Sequence, residues 1–111
     1  SEASQQFEAA LTISRQASGG MAEELRAQGA CQGLIHALRH RLATPAAWLG
    51  DCRLRLSQRS ADHYEAVETR IVMALVSGGA ATEQDADMRQ FRDQLGAQSP
   101  RVLALQALPS R

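Results

Sequence analysis

The sequence predicts an all-α fold, a compact bundle of about five helices, on three observations. Apolar residues recur at three- and four-residue spacing along most of the chain. Serine, threonine, proline and glycine fall between those runs, where helices start and stop. No alternating pair of segments flanks a hairpin turn, and no strand–helix–strand order is visible. The 111 residues suit one domain, spanning 1–111, with a core only modestly larger than chain entropy demands.

Residues 2–17 place Phe7, Ala10, Leu11 and Ser14 on one face ahead of Gly19-Gly20, a short amphipathic helix with a glycine stop. The longest helix is expected over Met21–Ala43, with Ala27, Cys31, Leu34, Ile35, Leu38 and Leu42 as its apolar stripe. Thr44-Pro45 ends it and starts the next, because threonine caps and proline suits a first helical position. Trp48, Leu49, Cys52 and Leu56 line that next helix. Ser60 is expected to cap a fourth, whose face is Tyr64, Val67, Ile71 and Ala74 before Gly78-Gly79. Thr82-Glu83-Gln84-Asp85 resembles a capping box and opens a fifth, carrying Met88, Phe91 and Leu95 and closing at Gly96. Ser99-Pro100 begins a last short helix or turn through Leu108.

Twelve basic residues balance twelve acidic ones, so net charge implies no polyanionic partner. Every basic residue is arginine, and lysine and asparagine are absent, a bias that suits a GC-rich bacterial genome. No unbroken apolar run approaches the ~20 residues of a membrane span, and no signal peptide is visible at the amino terminus, so a cytoplasmic location is expected. Cys31 and Cys52 each sit within an apolar stripe, where a free thiol acts as a small hydrophobe, and both are expected to remain reduced.

The most concentrated chemistry lies in "LIHALRHRLATPAAWLG", residues 34–50. His36 and His40 stand one turn apart and fall opposite the apolar stripe, facing solvent or a partner. Gly29 and Gly33 share that face; each costs about 1 kcal/mol against alanine in a helix, and a side-chain-free strip lets another backbone or a ligand approach. Two histidines at this spacing can grip a metal ion, but only two ligands are in place and no cofactor is expected. Arg39, Arg41, Arg53, Arg55 and Arg59 make the middle of the chain basic, a candidate phosphate-contacting patch if the partner were a nucleic acid.

"HALRHRLA" resembles the phosphoacceptor box of sensor histidine kinases and the His-x-Leu-Lys-Gly pattern of histidine phosphotransfer domains. That resemblance implies a phosphoryl group carried on His36 and steadied by Arg39. Ala37 replaces the acidic residue of the kinase box, Arg41 its proline, and His40 the glycine of the phosphotransfer pattern.

"RIVMALVSGG", residues 70–79, is apolar on every side: Ile71, Ala74 and Leu75 continue the Tyr64–Val67 face while Val72, Met73 and Val76 point elsewhere. In so short a chain this favours burial against a second copy or another protein. No glycine-rich phosphate loop, nucleophile elbow or apolar carboxylate pair suggests an enzyme. The expected function is a non-catalytic, dimeric module that masks a surface of another protein, such as a transcription regulator or a signalling or secreted protein. Its expected contacts are Val72, Met73 and Val76 for apolar burial, the Gly29–Gly33 strip for close approach, and His36, Arg39 and His40 as a polar rim.

Overall fold

The computed structural model describes residues 20–78 and 81–109, without the side chains of residues 20 and 81–84. Among these residues there are five helices and no strand: α1 (Gly20–Arg39), α2 (Ala46–Gln58), α3 (Tyr64–Ser77), α4 (Ala81–Leu95) and α5 (Pro100–Gln106). The helix expected over 2–17 lies outside the described residues, as does the capping chemistry expected of Thr82. None of the described helices is long and apolar enough to cross a membrane.

α1 keeps its expected stripe, with Ala27, Cys31, Leu34, Ile35 and Leu38 all buried. It ends four residues early, at Arg39, and the reason is in the backbone. The Leu42 amide donates to the Ala37 carbonyl at 2.8 Å and the Arg41 amide to the Leu38 carbonyl at 3.3 Å. These two bonds close the helix in a Schellman motif, which requires a left-handed residue at its corner. Arg41 fills that position with φ of 55°. Leu42 is thus carried off the helix and is only half-buried.

The turn folds α2 back antiparallel on α1. Pro45 is the N-cap of α2, not its first helical residue, and no side chain caps the helix. Trp48 and Cys52 face inward as expected, but Leu56 is 38% exposed and Arg55 is buried in its place. The expectation of free thiols is overturned: Cys31 and Cys52 form a disulfide joining α1 to α2 across 21 positions of sequence. Closing a loop of that length removes about 3 kcal/mol of unfolded-chain freedom.

α3 begins at His63 rather than at Ser60. The His63 ring nitrogen Nδ1 accepts from the Glu65 amide at 3.1 Å, doing the work usually given to serine or aspartate. Ser60 instead closes the preceding turn by accepting from the His63 amide at 3.0 Å. The helix stops at Gly78, in the left-handed conformation.

α3 is the central element. Val67, Ile71, Val72 and Leu75 join the core with Phe91 of α4 and Val102 and Leu105 of α5, against Leu34, Ile35 and Leu38 of α1. The apolar sides of residues 71–76 are therefore largely used within the protomer: Val72 is fully buried, and Met73 and Val76 are half-buried against the core. Arg70 links α3 to α4 through Asp87 at 3.3 Å and to the α2–α3 turn through the Ala61 carbonyl at 2.9 Å.

A non-glycine residue in the left-handed region costs about 1 kcal/mol. Arg41→Gly is expected to raise stability by about that amount, read as a higher urea midpoint with an unchanged slope. An unchanged or lower midpoint would show that the arginine side chain itself holds the corner.

Candidate functional site

The polar feature around which α1, α2, α3 and α5 are arranged is a carboxylate buried in the helix bundle. Glu68 is 1% exposed. Its Oε1 accepts from Arg55 Nη1 of α2 at 3.0 Å and from Arg101 Nη2 of α5 at 2.7 Å, while its Oε2 accepts from Arg101 Nε at 3.0 Å. Arg101 thus meets Glu68 with both arms of its planar fork, the strongest geometry available to an ion pair. Its third nitrogen reaches the Tyr64 hydroxyl at 3.4 Å, and the guanidinium lies over the Tyr64 ring, 5.0 Å from the centroid. Burial works against the charge on Arg101, but the Glu68 hydrogen bonds outweigh it and hold the guanidinium above its ordinary range.

A second tier surrounds this pair. Glu65, one turn before Glu68, lies 3.6 Å from Arg55 and 3.7 Å from Arg59. Arg59 also reaches Glu24 near the start of α1, at 3.4 Å. The basic patch expected from Arg39, Arg41, Arg53, Arg55 and Arg59 is therefore dispersed: Arg55 is buried with Glu68, and Arg59 is spent on two glutamates. Only Arg39, Arg41 and Arg53 of the five are exposed.

The histidine ridge on α1 is present, with its members placed unequally. His40 and Arg39 are exposed and His36 is half-buried. The two rings lie 4.5 Å apart, tilted by 48°. Desolvation lowers the His36 pKa from its ordinary 6.5, and the charges of His40 and Arg39 push the same way.

The glycines do not form the open strip expected of them. Gly33 is buried, and a Cβ added there would stand 3.0 Å from Trp48 Cζ3. The close approach that Gly33 permits is made by α2 of the same chain. Gly29 is half-buried. Of the expected apolar contacts, Val72 is unavailable to a partner, and Met73 and Val76 are partly covered.

The exposed large apolar side chains lie elsewhere: Met21 at 71% and Leu25 at 42% on α1, Leu56 at 38% on α2, and Leu103 at 47% on α5. A shallow groove of about 480 Å³ runs along the outer side of α2, lined by Gly50, Arg53, Leu54, Leu56 and Ser57. A Cβ on Gly50 would meet nothing within 4 Å, so this glycine, unlike Gly33, opens to solvent. Among the described residues no three His, Cys, Asp or Glu side chains are grouped as metal ligands.

Sequence reasoning missed the Arg55–Glu68–Arg101 network. A signal for part of it was present: acids three apart, Glu65 and Glu68, on one helix and arginines four apart, Arg55 and Arg59, on the preceding one. Comparison with protein-family models, with curated proteins and with solved structures finds no match to the chain.

Glu68→Gln keeps the shape but removes the charge shared by Arg55 and Arg101, leaving buried Arg55 only the longer, 3.6 Å approach of Glu65. The expected loss is about 3–5 kcal/mol in urea unfolding. A loss below about 1 kcal/mol would mean that water or another group takes over the pairing.

The His36 shift has a sign that can be measured. The folded state disfavours the charged ring, so the unfolded chain takes up the proton more readily. The stability that His36 contributes is present above pH 6.5 and is lost as pH falls below it. His36→Gln is expected to flatten that part of the stability–pH curve; an unchanged slope would assign it to other groups.

Proposed function

We propose that this chain is a non-catalytic protein-interaction module that binds and masks a surface of another protein, as an anti-activator, adaptor or chaperone does, and that it acts as a homodimer. The observation carrying this reading is the leucine-lined groove on the outer side of α2. Leu54 and Leu56 with the bare backbone of Gly50 offer an apolar floor, and Arg53 offers a cation at its edge. A partner helix with apolar residues at i, i+3 and i+4 and an acidic flank suits that combination.

Met21 and Leu25 extend the apolar surface. The Glu24–Arg59 ion pair brings the first turns of α1 to the end of α2, so these side chains and Leu56 gather at one end of the α1–α2 hairpin. His36, Arg39 and His40 stay in the proposal as a polar rim. The buried Val72 leaves it, and Met73 and Val76 contribute only their exposed parts.

The sequence reading places the module in the cytoplasm. The Cys31–Cys52 bond supports an oxidising compartment instead, because cytosolic thiols are kept reduced. Counting thiols in denatured protein taken directly from its source separates the two: none in the oxidising compartment, two in the cytoplasm.

Leu56 is exposed, so Leu56→Glu should change monomer stability by less than about 0.5 kcal/mol. The expected result in light-scattering chromatography is a wild-type dimer or defined hetero-complex that this substitution dissociates. A wild-type monomer at every concentration, with no partner recovered from its source, would overturn the proposal.

A further inference from the structure

A separate cavity of about 220 Å³ opens where α1 meets α5. One wall is α1, which presents Gln32, Ile35 and Arg39 at helical spacing. The opposite wall is α5, which presents Arg101 and Ala104, and buried Glu68 lies at the base.

The donors around this cavity are not all used. A guanidinium has five N–H donors. Arg101 spends two on Glu68 and one on the Tyr64 hydroxyl, which leaves two, and the Glu68 fork fixes the plane in which they lie. Arg39 makes no ion pair or hydrogen bond among the described residues and keeps its full set. The Glu68 charge opposes an incoming anion, and its position between the two positive charges of Arg55 and Arg101 offsets that repulsion.

The charge balance points the same way. Arg55, Arg59 and Arg101 are matched by Glu24, Glu65 and Glu68 within the two tiers of ion pairs. Among the described residues Arg39 is the unmatched cation at the cavity. Gln32 adds an amide that can donate or accept, while Ile35 and Ala104 line the remainder with hydrocarbon.

We infer that this cavity binds a small organic acid, with its carboxylate held between Arg39 and Arg101 and a short apolar stem resting on Ile35 and Ala104. Paired guanidinium groups match the planar carboxylate, one of them held in advance by Glu68. The size suits a small ligand: about 220 Å³ lies below the ~300–1,000 Å³ of pockets that enclose drug-sized molecules, which fits a short-chain acid. An inorganic anion would satisfy the arginines but leave the hydrocarbon walls uncovered. The site lies apart from the α2 groove and shares only Arg39 with the proposed polar rim, so Leu56→Glu can dissociate the complex while leaving this cavity intact.

The test is an NMR titration of the full, disulfide-intact chain, labelled with ¹³C and ¹⁵N, using sodium butyrate as probe and sodium chloride at matched ionic strength as reference. Saturable shifts are expected at the Ile35 and Ala104 methyls and the Arg101 Nε–H. Arg39 is exposed, so Arg39→Gln should keep the fold, checked by its amide spectrum, and raise the half-saturation concentration about tenfold or more. Ala104→Val, which narrows the apolar floor, should weaken butyrate binding while leaving Arg101 paired to Glu68. Three results would overturn the assignment: shifts that rise linearly with salt, equal affinity in Arg39→Gln, or inorganic phosphate producing the same saturable shifts at the two methyls.

Discussion

The burial of Glu68 is the constraint on which the arrangement of three helices, α2, α3 and α5, depends. A carboxylate taken out of water costs several kcal/mol unless its lone pairs are filled by well-placed donors. Here the donors come from two other helices, Arg55 from α2 and Arg101 from α5. Sliding either helix by one turn relative to α3 would leave a bare charge in the core, so the pairing acts on register more than on net stability. Apolar contacts alone would resist such a slide less strongly, because Val, Leu and Ile tolerate exchange when volume is kept.

The other fixed point is the α1–α2 hairpin. The Cys31–Cys52 bond ties its two strokes together, and Trp48 lies against the bare backbone of Gly33 on the same interface. Gly33 makes that approach possible at the usual helical cost of about 1 kcal/mol. Arg59 then joins the hairpin to the buried network by touching both Glu24 and Glu65. One continuous set of ties therefore runs from the beginning of α1 through α2 to α3 and α5. Packing of α4 relies more on Phe91 and on the half-exposed Arg70–Asp87 pair.

The helices were legible because their hydrophobic period is strong, and the core residues of α1 follow from it directly, whereas on α3 Val72, expected to point away from the core face, is fully buried. The errors have two causes: on α2 a long-range contact decided between adjacent positions, and at the end of α1 a local cap overrode the breaker signal further on. At the edge of the α2 stripe, hydrophobicity favours Leu56, but Glu68 on a distant helix recruits Arg55 inward. At the end of α1, Thr44-Pro45 is the stronger local signal, yet the chain turns at Arg41 through bonds to Ala37 and Leu38. That corner also explains the disulfide. Cys31 lies ten residues before Arg41 and Cys52 ten after Leu42, so an antiparallel fold about the corner brings them together. With the corner placed at Thr44-Pro45 the symmetry is hidden. Most of the candidate site lies beyond sequence reach: Arg39 stood out beside the histidines, but nothing local ties it to Arg101.

These placements divide the arginines by task. Arg55, Arg59, Arg70 and Arg101 hold helices together, each against a carboxylate. Arg39, Arg41, Arg53, Arg89 and Arg92 are exposed, and they are divided among α1, its closing turn, α2 and α4. A distributed set of cations gives little of the counterion release that drives binding to a nucleic-acid backbone. Single cations beside apolar ground serve another purpose: Arg53 borders the leucines of α2, and Arg39 borders Ile35 and Ala104. Each pairs one charge with hydrocarbon, and under the two proposals this combination would favour ligands carrying both, giving discrimination among partners more than attraction from a distance.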